Sequence, residues 1–247
     1  AELQLAQASA ERLLSLIETE PEIKDSLEVV ERYGLEPGTG REEWPEIRGH
    51  VEFKDVTFRY KTGETVLSHF DLSVKAGETV ALVGETGAGK STIVNLVCRF
   101  YEPTLGSLLI DGRDYRELPV AWLQRRLGYV LQTPHLFSGT VRENIRYGRL
   151  SASDEEVAAA ARLVNADEFI AKLPKGYESD VGEGGSFLST GEKQLISFAR
   201  AMLADPAVFV LDEATSSIDT ETERRIQEAI STVLRNRTSF IIAHRLS

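Results

Sequence analysis

The sequence has 247 residues, room for one or two domains, and its 42% hydrophobic and 27% charged residues are the balance of a folded globular chain, not a disordered one. A formal net charge of −11 without a long Lys/Arg run argues against nucleic acid as a partner, and no stretch approaches the roughly 18 apolar residues of a membrane helix. The single cysteine, Cys98, rules out an intrachain disulfide, and its place in the apolar stretch 93–100 reads as a small buried hydrophobe.

Leu3, Ala6, Ala10, Leu13 and Ile17 recur at spacings of three and four, which predicts an amphipathic helix that Pro21 ends. Residues 20–48 hold Pro21, Pro37, Gly38, Gly40 and Pro45 among acidic side chains and read as a linker. Val51 and Phe53 alternate, and Val56, Phe58 and Tyr60 do so after a one-residue slip, as in a bulged strand or two short strands. Continuous apolar runs at 80–83, 108–110, 208–211 and 240–243 suit parallel strands covered on both faces. Helical stretches at 90–100 and 221–234 fall between them, so an α/β fold with a wound sheet is expected. Helical signals dominate residues 133–205, notably at 155–164 and 191–203, and predict an inserted helical subdomain.

Two motifs carry chemistry. Gly84-Glu85-Thr86-Gly87-Ala88-Gly89-Lys90-Ser91 fits G-x-x-x-x-G-K-[ST], between an apolar strand (79–83) and a helix. Glycines let backbone N–H groups curl around phosphates, and a helix N-terminus adds positive potential. Lys90 is expected to reach the β- and γ-phosphates, and the Ser91 hydroxyl to ligate Mg²⁺. Further along, an apolar strand (207–211) delivers Asp212 and Glu213 at its C-terminal edge. Asp212 is expected to face the Mg²⁺ site, and Glu213 an attacking water whose proton it accepts.

With these two motifs in place, residues 49–247 resemble the nucleotide-binding domain of ATP-binding-cassette transporters, whose further motifs follow in the family's order. Tyr60 resembles the aromatic residue that stacks on adenine. Gln132 resembles the glutamine linking the Mg²⁺ site to the helical subdomain, and so a metal and catalytic position. Leu188-Ser189-Thr190-Gly191-Glu192-Lys193-Gln194 resembles the signature L-S-G-G-Q-[RK]-Q, whose Ser189 and Gly191 would face ATP held by a second domain. Ser216-Ser217-Ile218-Asp219 resembles the loop that contacts that domain, and His244 the histidine that touches the γ-phosphate. The expected nucleotide set is therefore Tyr60, Gly84 to Thr92, Gln132, Asp212, Ser189 and Gly191, with Lys90, Gln132, Glu213 and His244 catalytic and Ser91, Gln132 and Asp212 at the metal. Thr190 and Glu192 depart from the signature. A β-branched Thr190 restricts the backbone, and Glu192 adds negative charge near the γ-phosphate.

Three features resemble exporters: the opening with Ala8-Ser9-Ala10-Glu11-Arg12, the loop Val181-Gly182-Glu183-Gly184-Gly185, and the segment Leu136-Phe137-Ser138-Gly139-Thr140-Val141-Arg142-Glu143-Asn144-Ile145. The resemblance implies a P-loop NTPase core with a wound, mostly parallel sheet, an N-terminal antiparallel β subdomain and a helical subdomain at about 133–205. Residues 1–48 would be a helix extension plus linker. It also implies ATP and Mg²⁺ as cofactors, export-coupled hydrolysis at the cytoplasmic face of a membrane, and a second nucleotide-binding domain (homo- or heterodimer) and a transmembrane domain as partners. On the same grounds the chain is expected to be a fragment, with membrane helices before Ala1 and further elements beyond the His244 motif. The competing readings are a soluble ATPase of the same superfamily, which lacks a basic surface here, and a module that clamps ATP with little turnover.

Overall fold

The computed structural model describes residues 2–61, 63–131, 133–212 and 220–243. Gln132, Glu213, Ser216, Ser217, Ile218, Asp219 and His244 lie outside the described residues. The chain opens with α1 (Glu2–Ile17), the helix the periodicity predicts; Leu13, Leu14 and Ile17 on it are exposed. The segment read as a linker is not bare connection. It carries α2 (Leu27–Tyr33), begun by Ser26, whose hydroxyl accepts from Val29 N at 3.2 Å. Val29, Tyr33 and Ile47 are buried, and Trp44 Nε1 donates to Tyr33 O at 2.9 Å, so the segment packs onto the domain.

β1 (Val51–Arg59) is central in an antiparallel sheet ordered β2-β1-β4-β5, with β2 at Thr65–Val74, β4 at Leu105–Ile110 and β5 at Arg113–Asp114. Its pairing with β2 shifts register between Phe53 and Val56, where Asp55 sits at φ 49. That is the expected bulge within one strand. The apolar run 108–110 is a correction: it belongs to β4, which pairs antiparallel with β1 and is not a parallel strand. Leu108 and Ile110 face the core while Leu109 is only half-buried, and three residues are too few to reveal that alternation.

The second sheet is parallel among the described residues and ordered β3-β8-β7-β6, with β3 at Thr79–Val83, β6 at Leu127–Val130, β7 at Val208–Asp212 and β8 at Thr238–Ala243. Strand β7 separates two cores. Val208 and Val210 join α3 (Lys90–Val97), α4 (Val120–Gln124) and the antiparallel sheet through Val94, Leu123 and Phe53. Phe209 and Leu211 point the other way, into a core with Phe198, Ile226 and Val233. Each such fully buried side chain stabilises the fold by roughly 1.5–3 kcal/mol. The helical segment between β6 and β7 consists of α5 (Val141–Arg146), α6 (Asp154–Leu163), α7 (Asp167–Ile170) and α8 (Thr190–Leu203), and α9 (Thr220–Leu234) follows β7. The architecture is the α/β one expected: an antiparallel sheet, a parallel sheet and an inserted set of helices.

Candidate functional site

The site starts at the joint between β3 and α3. Gly84, Gly87 and Gly89 have φ of 155, 88 and 86, and Gly89 caps the helix in the left-handed region. A Cβ on Gly89 would lie 3.2 Å from Leu67 Cδ2 and 3.4 Å from Val66 Cγ1 of β2, so backbone sign and packing both require glycine there. Lys90 is buried, and its Nζ donates to Gly84 O at 2.6 Å and Glu85 O at 2.8 Å. The ammonium thus sits inside the loop that its own helix begins. Ser91 is exposed in the first turn of α3, where backbone N–H groups are free to meet an anion.

Tyr60 follows β1 directly. Its hydroxyl lies 3.1 Å from Thr92 Oγ1, which ties it to the first turn of α3. Phe58 and Tyr101 hold its ring edge-on, with centroids at 4.9 and 5.1 Å. The structure therefore brings Tyr60, Thr92 and the 84–91 loop together.

Asp212 ends β7, half-buried. Val83 pairs with Ala243, and Asp212 with Ile242, so β3, β8 and β7 finish at one edge. Two strand spacings, about 10 Å, separate Asp212 from the root of the loop. Burial, and then the negative charge of Asp212, push the Tyr129 phenol on β6 up to about 12. Burial alone raises the Cys98 thiol to about 12, as befits a core residue without a nucleophilic role. Among the described residues no cluster of three or more His, Cys, Asp or Glu could hold a metal. The Ser91 hydroxyl and the Asp212 carboxylate are hard oxygen donors, a pair that suits Mg²⁺ held jointly by one or two protein oxygens and phosphates.

The signature begins α8. Ser189 is the N-cap, and its Oγ accepts from Glu192 N at 3.3 Å. Glu192 Oε2 in turn accepts from Ser189 N and Ser189 Oγ, both at 2.8 Å. Thr190 takes the first helical position, exposed and outside the positive-φ set, so threonine costs no backbone strain. Gly191 is buried. The two exporter-like segments lie side by side, since Thr140 bridges Asp180 and Val181 N donates to Gly139 O at 2.9 Å.

Asn144, which the sequence offers only as part of the exporter-like segment, and Arg200 together tie α8 to the segment after Gln132. Asn144, 2% exposed, donates to Phe137 O and Thr140 O and accepts from Phe137 N. Arg200 donates to Asn144 Oδ1, Asn144 O and His135 O, and lies 5.4 and 5.6 Å over the rings of Phe137 and Tyr147. Burial lowers its pKa. No one-dimensional spacing announces such a tie, whereas Ser189-x-x-Glu192 and Thr140-x-x-Glu143 have capping-box spacing that is legible. Beside the tie runs a groove of about 1030 Å³ with Leu131, Phe137, Tyr147 and Leu150 exposed along it.

Residues 67–216 match the family model described as ABC transporter. The chain is 50% identical over 242 residues (98% of it, 38% of the relative) to the uncharacterized ABC transporter ATP-binding protein YfiC of Bacillus subtilis. It is 44% identical over 245 residues (99% and 41%) to an ATP-dependent lipid A-core flippase of Desulfotalea psychrophila. Among solved structures it resembles a bacterial Atm1-family ABC exporter with ATP bound, with a TM-score of 0.81 and 39% identity over 98% of this chain and 40% of that one. The chain spans about two fifths of the length of these relatives.

Proposed function

The chain belongs to the ABC transporter family, and from that premise we propose that it binds Mg-ATP at the C-terminal edge of the parallel sheet and hydrolyses it to power export by a larger membrane protein. The observation that carries the reading is the loop at 84–91, with Lys90 held inside it and Asp212 ending a strand at the same edge. The backbone N–H groups of the loop and Lys90 bind the phosphates, while Ser91 and Asp212 would hold Mg²⁺, whose charge would offset that of the transferred phosphoryl group. Tyr60 stacks on adenine, and Thr92 fixes its hydroxyl. By family resemblance Gln132 completes the metal set, Glu213 takes the proton of the attacking water and His244 touches the γ-phosphate.

Export is the reading because relatives named as a flippase and an exporter match nearly the whole chain. Ser189 and Gly191 serve ATP bound by a second such domain. The exposed apolar rim of Leu131, Phe137, Tyr147 and Leu150 supports contact with the membrane part of the larger protein, and by family resemblance that contact lies at the cytoplasmic face. Calorimetry tests the site: Lys90→Ala should lose ATP affinity, and equal affinity in both proteins would sink the assignment. In the assembled transporter, Glu213→Gln should retain binding and lower turnover by a factor on the order of 10² or more. Wild-type turnover there would remove the role given to Glu213.

A further inference from the structure

Helix α3 ends on a left-handed residue that is not glycine. Arg99 N donates to Leu96 O at 3.0 Å and Phe100 N to Asn95 O at 2.9 Å, the paired bonds of a Schellman cap, with Arg99 at φ 53. The side chain explains why arginine is kept in that conformation. Its guanidinium is buried, donates to Tyr115 O and Leu118 O at 2.7 Å each and to Glu102 Oε1 at 2.8 Å, and lies 5.2 Å over the Tyr115 ring. The corner then runs to Tyr101, whose carbonyl accepts from Tyr115 OH at 3.2 Å and whose ring holds Tyr60 edge-on.

A second carboxylate reaches Arg99 from far away in the chain. Asp25 Oδ1 stands 4.0 Å from Arg99 Nη1 and accepts from Val120 N at 2.8 Å. Glu102 already neutralises the guanidinium, so Asp25 adds a link between the N-terminal segment and the corner at 99–101. Three residues before it, Glu22 pairs with Lys61, the neighbour of Tyr60. Pro21 and Ile23 line a cavity of about 570 Å³ together with Tyr60 and Tyr101. The N-terminal segment thus reaches the Tyr60 region twice, through Lys61 and through Arg99 and Tyr101. The Glu22–Lys61 pair is exposed and contributes little. The Asp25–Arg99 pair, with side chains 11% and 2% exposed, is shielded from water, so its charges are screened far less.

We propose that residues 21–25 are a strap that positions the base side of the nucleotide site, with Asp25 as the positioning residue. The proposal rests on the reading that Tyr60 stacks on adenine, and the experiment separates the two. ATP and inorganic tripolyphosphate are titrated calorimetrically into this chain; both engage the phosphate loop, but only ATP has a base. Asp25→Asn keeps an acceptor for Val120 N–H and removes the charge. It should raise the Kd for ATP about fivefold and leave that for tripolyphosphate within about twofold. A merely structural loss would weaken both ligands alike, and that result, or an unchanged ATP affinity, overturns the proposal. Glu22→Lys spares the buried pair and guards against a folding failure of Asp25→Asn. It should weaken ATP alone by about twofold, with Lys61→Glu in the same chain restoring affinity; if it does not, the strap does not act on the base side. Tyr60→Ala is the control, expected to weaken ATP about tenfold and spare tripolyphosphate. An unchanged ATP affinity there removes the stacking reading itself, whereas a failed strap leaves the Tyr60 effect intact.

Discussion

Ser189 and Glu192 satisfy each other at the start of α8, and this changes the meaning of a residue that looks like a defect in the sequence. Read from the sequence alone, Glu192 is a departure that brings charge toward a phosphate. In the fold its carboxylate accepts from both the N–H and the hydroxyl of Ser189 and sits in the first turn of a helix, where negative charge is favourable. Glu192→Ala should therefore cost about 1 kcal/mol in denaturant unfolding, and Glu192→Gln less than half of that, because the amide oxygen still accepts from Ser189 N. Equal stability of the Ala variant and the parent would show that the box contributes nothing. Much of the candidate site was legible at this scale, since a fixed loop such as 84–91 needs particular residue types at particular spacings. Partners that meet only in space were not: the Tyr60–Thr92 contact, the Tyr129 phenol near Asp212 and the Arg99 corner join residues with no shared spacing.

At the scale of elements, the tie between α8 and the segment after Gln132 depends on one amide. Asn144 uses both of its N–H groups, on Phe137 O and Thr140 O, and its oxygen accepts from Phe137 N and Arg200 Nη2. Every hydrogen-bonding position of that buried side chain is thus filled. Asn144→Ala strips Phe137 N, Phe137 O, Thr140 O and Arg200 of one hydrogen bond each in a buried place and should cost about 3 kcal/mol. The loss should appear as lower hydrogen-exchange protection through 137–145, with β3 and β8 unaffected; uniform loss across the chain would place the tie in the global core instead. The strands at 208–212 and 238–243 were legible because burial on both faces demands unbroken apolar runs. Strand β3 at 79–83 has the apolar run but lies at the edge of the described sheet with Leu82 buried and Val83 exposed, so cover on both faces is not what it shows. Helix α2 was hidden because its seven residues lie among prolines and glycines, and its burial comes from long-range packing of Val29 and Tyr33. Strand β4 was misassigned to the parallel sheet because its longer pairing, with β1, is remote in the chain, its near partner β5 is only two residues long, and the apolar run 108–110 is too short to show a face.

For the whole molecule, the proposed catalytic site is shared, and that sets how the chain should behave alone. The phosphate loop and Asp212 lie at the C-terminal edge of the parallel sheet, while Ser189 begins α8 and, by family resemblance, serves nucleotide held by a second domain. Two copies of a chain with net charge −11 repel one another over distances set by the ionic strength. Among the described residues no helix is long and apolar enough to cross a membrane and hold two copies together. The larger protein would supply a millimolar effective concentration by tethering, a gain on the order of 10²–10⁴ in apparent association without any new contact. This chain should therefore be a monomer by light scattering without nucleotide, and hydrolyse ATP about 10² times more slowly per site than the same domain within the full-length protein. Raising salt should favour association, because screening weakens the repulsion. A stable dimer without ATP would mean that the active unit assembles without the membrane part, and turnover by the monomer as fast as that of the tethered domain would mean that the shared-site reading is wrong.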